Sequence, residues 1–238
     1  MSLSIVLMFL AAAATPGWQG VRPEKLFDIG KVRVLQSAPA GYRHAVLAGV
    51  DLPTSGLDVT LTCSYRMGGE GWGRCRPSDG FEPGEDVSGA RSAAARQMGW
   101  TRIDMSKLSA FRPVDFVSEA KVHLSPADRL DLQPPPRGDA AYVTNVVWDY
   151  KPPADAVARE YPDRALRLGM TGSATVACRV LEDLSPACVT VSVSDPEYGF
   201  ETSAPRIMGL SRVAPKLTDG RPAVGVWIRT RVLFSLPE

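Results

Sequence analysis

Two stretches of the chain alternate apolar and polar residues with the period of a half-buried strand. In one, Val226, Ile228, Thr230, Val232 and Phe234 alternate with Trp227, Arg229, Arg231 and Leu233. In the other, Val114, Phe116, Ser118, Ala120, Val122 and Leu124 alternate with Asp115, Val117, Glu119, Lys121 and His123. Successive strand side chains point to opposite faces, so each stretch predicts a strand with one face on a core. Residues 171–181 and 187–194 are β-rich and flank Glu182-Asp183-Leu184-Ser185, the pattern of a hairpin. Cys178 and Cys188 lie symmetrically about Asp183, as directly opposed residues do. Val189, Val191 and Val193 fall on the opposite parity from Cys188, and a β-bulge near the cysteine reconciles the two patterns.

Helical spacing of Val157, Tyr161, Ala165 and Leu168 predicts one helix over residues 155–168, kinked at Pro162 and stopped by Gly169. A weaker helix is predicted over residues 200–213, with Ser203 as its cap and Pro205 near its start. Residues 142–150 read as a strand or extended arm ended by Lys151-Pro152-Pro153. In the order helix, hairpin, helix, strand, the second helix carries the chain back, so the last strand runs parallel to the hairpin's second strand and pairs with its first. The predicted sheet has the order second, first, last, with helices on one face and the last strand at an edge.

The chain also resembles itself. At an offset of 110 positions Arg96, Met98, Gly99 and Arg102 fall on Arg206, Met208, Gly209 and Arg212. Lys107-Leu108 and Arg112-Pro113 fall on Lys216-Leu217 and Arg221-Pro222 after a one-residue slip, and Val122 and Ser125 on Val232 and Ser235. Upstream, Thr60-Leu61-Thr62-Cys63 answers Thr175-Val176-Ala177-Cys178. These matches predict a tandem duplication. Between the copies Pro134-Pro135-Pro136 favours an extended linker over helix or central strand, and its reach of about 20 Å keeps the two copies neighbours.

Charge and cysteine usage narrow the function. The 238 residues carry 27 Lys and Arg against 26 Asp and Glu, a net charge of +1. The basic excess that nucleic-acid binding requires is missing, so that partner is excluded. The apolar run from Leu3 to Ala14 is shorter than the roughly 20 residues of a membrane span. Its length and the small residues before Thr15 suit a secretory signal, although no Lys or Arg precedes it; a buried N-terminal helix is the other reading. Neither cysteine pair, Cys63 with Cys75 or Cys178 with Cys188, has zinc spacing, so no metal is expected. Two thiols flanking a turn predict cross-strand disulfides made in an oxidising compartment, against the alternative of four buried free thiols. Nucleophile-elbow, phosphate-loop and zinc-helix motifs are missing, and His44 and His123 are the only histidines. No catalytic residue and no cofactor are therefore expected, and the protein is read as a non-enzyme.

Tyr161-Pro162-Asp163-Arg164-Ala165, Gly172, Thr175-Val176-Ala177-Cys178, Cys188, Pro196, Tyr198-Gly199-Phe200 and the closing Val232-Leu233-Phe234 form an ordered set. This set resembles the C-terminal domain of TonB energy-transducer proteins, and the cysteine pair a disulfide-bearing subgroup of it. The first copy lacks Tyr-Pro and Gly-Phe and resembles a degenerate domain. The resemblance implies an α+β fold of two tandem TonB C-terminal-like domains, each a small antiparallel sheet with helices packed on one face. The expected organisation is a signal peptide at 1–14, a degenerate domain at 21–130, a Pro-rich linker at 131–139 and a second domain at 140–238. The implied function is periplasmic and touches the membrane only indirectly. The edge formed by Val226, Trp227, Ile228, Arg229, Thr230, Arg231 and Val232 would pair with an extended protein or peptide segment, such as one from an outer-membrane TonB-dependent receptor. A structural or cell-wall-associated envelope protein with covered edges is the alternative.

Overall fold

A computed structural model describes residues 34–36, 38–65, 74–77, 88–100, 102–103, 116–132 and 135–236. The expected signal segment 1–14, Val114, Asp115, Pro134 and the repeat residues 107–113 lie outside the described residues.

The first half of the chain runs β1 (Val34–Gln36), α1 (Ala40–Leu47), β2 (Leu57–Tyr65), β3 (Arg74–Pro77), α2 (Ser88–Gly99), β4 (Arg102–Ile103) and β5 (Phe116–Leu124). The second half runs β6 (Trp148–Tyr150), α3 (Ala154–Arg159), α4 (Asp163–Leu168), β7 (Gly172–Val180), β8 (Pro186–Val193), α5 (Phe200–Gly209), β9 (Arg212–Val213) and β10 (Trp227–Phe234). Each half forms one three-stranded antiparallel sheet, in the orders β3-β2-β5 and β10-β7-β8. In both sheets the hairpin's first strand is central and the last strand closes an edge, as the connection argument requires. In each half a short strand before the first helix also pairs with one after the last helix, β1 with β4 and β6 with β9.

Residues meant for the core face meet in register. Leu57, Val59 and Leu61 lie opposite Leu124, Val122 and Ala120. Ala174, Val176 and Cys178 lie opposite Val232, Thr230 and Ile228. Cys63 faces Cys75 and Cys178 faces Cys188, and both pairs are disulfide-bonded. The expected bulge is present, three residues from Cys188. Thr190 pairs with Val176 but Ser192 pairs with Thr175, so Val191 is the extra residue. Closing a loop of 10 residues restricts the unfolded chain by about 3 kcal/mol. Replacing Cys178 and Cys188 together by serine is expected to lower the unfolding free energy in urea by that order. A change below about 0.5 kcal/mol would show that the crosslink contributes nothing.

The helices depart from the sequence reading. Residues 155–168 do not form one kinked helix: α3 ends at Arg159 and α4 begins at Asp163, because Pro162 has no N–H to donate and holds an extended ψ of 128° at the start of α4. The next helix is Phe200–Gly209 rather than 200–213, and Gly199, in the left-handed region at φ 85°, precedes it in place of a Ser203 cap. Pro205 lies inside α5 rather than near its start. A mid-helix proline strips the carbonyl four residues earlier of its donor. Here that carbonyl belongs to Glu201, and the Thr190 hydroxyl of β8 donates to it at 2.6 Å. The tertiary structure therefore satisfies the group that the helix cannot. Of the strand or extended arm expected over 142–150, only Trp148–Tyr150 pairs as a strand, and a 3-10 turn at Asp139–Ala141 precedes the segment.

The two halves are packed on each other. α1 lies against α5 and β8 of the second half, and Ala156 and Leu210 join the apolar cluster built around Tyr42, Leu47, Leu61, Ala94 and Leu124. The approach is close: a Cβ on Gly41 would sit 2.3 Å from the Pro186 carbonyl oxygen, and one on Gly209 would sit 2.6 Å from the Tyr42 nitrogen. α1 has no side-chain cap of its own. Its first free N–H groups, those of Ala40 and Gly41, donate instead to Asp183 Oδ2 at 2.8 Å and Ser185 Oγ at 2.9 Å, in the β7–β8 turn.

Candidate strand-pairing edge and the buried cluster behind it

Backbone parity decides what β10 offers to its surroundings. The Val226 carbonyl accepts from Val180 N–H at 3.0 Å, so it points toward β7. Backbone groups alternate sides along a strand, so those of Trp227, Arg229, Arg231 and Leu233 point away from β7. The Trp227 carbonyl shows this directly, accepting the Val143 N–H at 2.8 Å from outside the sheet. Among the described residues no strand pairs with the outer side of β10. The side chains divide the other way: Ile228 and Phe234 are buried under the helices, while Arg229, Arg231 and Leu233 are exposed on the opposite face.

Part of this edge is already engaged. Asp139 forms an ion pair with Arg229 at 2.9 Å, and the Arg229 guanidinium lies 5.9 Å from the centre of the Tyr142 ring. The segment entering the second half thus rests on the Trp227–Arg229 end of the strand.

The motif residues form a packing cluster rather than a surface. Phe200 is fully buried, and its ring centre is 4.7 Å from that of Phe234; Tyr161 meets both rings edge-on at 6.1 and 5.7 Å. The Tyr161 hydroxyl donates to the Met170 carbonyl at 2.5 Å, and burial raises its pKa. Pro162 packs over Gly199, where a Cβ would come within 3.4 Å of the proline ring. Tyr198 lies beside Phe200 with Arg164 over its own ring. The cluster ties the α3–α4 corner and the start of α5 to the end of β10. The motif therefore serves the edge by holding its strand in place.

The sequence gives no sign of a buried carboxylate that joins the two halves. Glu160 is 2% exposed and its carboxylate collects donors from both halves. Oε1 accepts from the Tyr42 hydroxyl at 2.6 Å and from Trp100 Nε1 at 3.4 Å; Oε2 accepts from Arg96 at 3.0 Å and Arg206 at 2.9 Å. A carboxylate has about four acceptor sites, so this one is saturated. Burial, followed by the Glu160 charge, pushes the Tyr42 hydroxyl far above its ordinary range and keeps it a neutral donor. Burial and then the Arg96 charge lower Arg206. The repeat signals only its partners, since Arg96 and Arg206 are aligned at the offset of 110.

The histidines are accounted for locally. His44 Nδ1 accepts the Leu130 N–H at 3.1 Å, and burial lowers its pKa. His123 is exposed, as its strand parity predicts, and lies 2.7 Å from Asp58. Among the described residues no group of three His, Cys, Asp or Glu is arranged to hold a metal ion, and no helix is long and apolar enough to cross a membrane.

The second half is thus a small antiparallel sheet under helices, with an outward-facing edge strand held by an aromatic cluster. Residues 157–236 match the family model of the Gram-negative bacterial TonB protein C-terminal region. The matched segment begins in α3 and runs past β10, so the second half is similar to that family. No curated protein and no solved structure matches the chain.

Proposed function

We propose that this is a non-enzymatic periplasmic protein, exported by its N-terminal segment, that binds an extended segment of an outer-membrane transporter or another envelope protein along β10. The first half is read as a degenerate first copy of the same domain. The observation that carries the reading is the outer edge of β10, where the backbone groups of Arg229, Arg231 and Leu233 face away from the sheet without a paired strand among the described residues. Strand addition draws its affinity from such groups and its selectivity from the flanking side chains. The family match, the paired disulfides and the repeated sheet order support it.

Proline substitution tests the edge. Arg231→Pro removes an outward donor and should leave the fold intact while weakening a bound transporter-plug peptide by up to about tenfold, the equivalent of one hydrogen bond. Thr230→Pro is the control, because its N–H belongs to the pairing with Val176, and it should unfold the sheet. Equal affinity of Arg231→Pro and the unaltered protein in fluorescence anisotropy would remove the edge from the mechanism.

A structural envelope role is the second reading, and one observation favours it: Val143 and Asp139 already occupy the Trp227–Arg229 end of the edge. If no plug peptide binds the unaltered protein, this reading replaces the first.

A further inference from the structure

The face of the β10-β7-β8 sheet opposite its helices carries a polar cavity of about 340 Å³, lined by Ser173, Thr175, Ser192, Val193, Ser194 and Arg231. We infer that this cavity binds an acidic saccharide, with Arg231 taking the carboxylate of the sugar and the surrounding hydroxyls taking its hydroxyl groups. The site uses side chains on the open face, whereas strand addition uses outward backbone groups, so the two are separable.

Four observations carry the inference. Arg231 hydrogen-bonds Ser173 Oγ at 2.8 Å and takes part in no ion pair among the described residues, whereas neighbouring Arg229 is neutralised by Asp139. No carboxylate lines the cavity, so its charge is unopposed within it. The guanidinium is also held in place: Ser173 is 7% exposed, its N–H donates to Ser194 Oγ at 3.0 Å, and its own oxygen accepts from Arg231. Finally, the bulge shapes the lining. Regular pairing beyond Thr190 would set Val191 opposite Thr175, but the extra residue sets Ser192 there instead. A bulge that exchanges a valine for a serine beside an arginine re-aims the strand toward polar contact.

The chemistry selects the ligand class. A guanidinium fork matches a carboxylate in two parallel hydrogen bonds. Serine and threonine hydroxyls both donate and accept, as sugar hydroxyls do. With one apolar side chain and no aromatic ring in the lining, the cavity offers nothing to a flat apolar ligand. A phosphate dianion would call for further cations or free N–H groups, and the Ser173 N–H is already taken.

The test is a titration of the full, disulfide-bonded chain followed by amide chemical shifts, with glucuronate, glucose, acetate and inorganic phosphate as probes. Glucuronate is expected to shift the amides of Ser173, Thr175, Ser192 and Ser194 more strongly than acetate at equal concentration, with glucose weakest. Arg231→Gln should weaken glucuronate about tenfold or more, the loss of one charge-assisted pair. Ser192→Val should weaken glucuronate but leave acetate unchanged, since it removes a hydroxyl and keeps the charge. Thermal melts of both variants should match the parent protein. Absence of shifts with glucuronate, binding of acetate equal to that of glucuronate, or preference for phosphate would each overturn the assignment.

Discussion

Replacing Glu160 by alanine is expected to cost about 3–5 kcal/mol of unfolding free energy. The substitution leaves Arg206, 14% exposed at its side chain, and the buried Tyr42 hydroxyl without their acceptor, and sets Arg96 against Arg206 with no charge between them. Removing one member of a buried ionic group is costly because the remaining charge stays out of water. Glu160→Gln should fall between, since the amide oxygen still accepts but the charge is gone. In urea denaturation the prediction fails if Glu160→Ala loses less than about 1 kcal/mol. A second readout separates packing from charge: with Arg206→Met added, part of the loss should return, because the uncompensated cation is removed.

Gly209→Val should separate the two halves. A Cβ there would lie 2.6 to 2.8 Å from the backbone of Gly41 and Tyr42, and backbone cannot move aside as the end of a flexible side chain can. α5 would have to withdraw from α1, which in turn would lose its donors' partners at Asp183 and Ser185. The expected result is a loss of about 3 kcal/mol, at the upper end for overpacking, together with faster proteolysis in the connecting segment after Leu124. Gly89→Ala is the matched control, since its Cβ would meet only Val50 methyl groups, at 3.8 and 4.0 Å, and a helical Gly-to-Ala change is neutral or favourable. If Gly209→Val melts and digests like the control, the packing of α1 on α5 has no energetic weight.

Much of the edge could be read from the chain because strand periodicity is local. Alternation about Ile228, Thr230 and Val232 identifies both the buried face and the outward residues, and connection rules alone place the strand at an edge. The hairpin and its opposed cysteines were equally legible, since symmetry about a short turn fixes register. Helix limits were less so. From sequence Pro162 reads as a kink but it starts a new helix, and Pro205 reads as near a helix start but it sits inside one. In the first case the missing proline N–H is enough to end one helix and start another. In the second the rule is overridden by the Thr190 hydroxyl, which satisfies the Glu201 carbonyl eleven residues away in sequence. The motif residues Tyr161 and Phe200 could be recognised but not assigned a task, because a motif names positions and not neighbours.

By itself, then, the amino-acid sequence determined the alternating strands, the paired cysteines, the self-similarity of the two halves and the near-neutral charge. Each of these depends on spacing along the chain, which needs no partner to be seen. Tertiary structure alone decided that Glu160 gathers Tyr42, Trp100, Arg96 and Arg206, that α1 is capped by the turn of the other half, and that Val143 and Asp139 rest on β10. Those contacts join residues 46 to 144 positions apart. Their energy comes from burial and from hydrogen bonds completed across the packed surface, and no periodicity in the chain encodes which surfaces will meet.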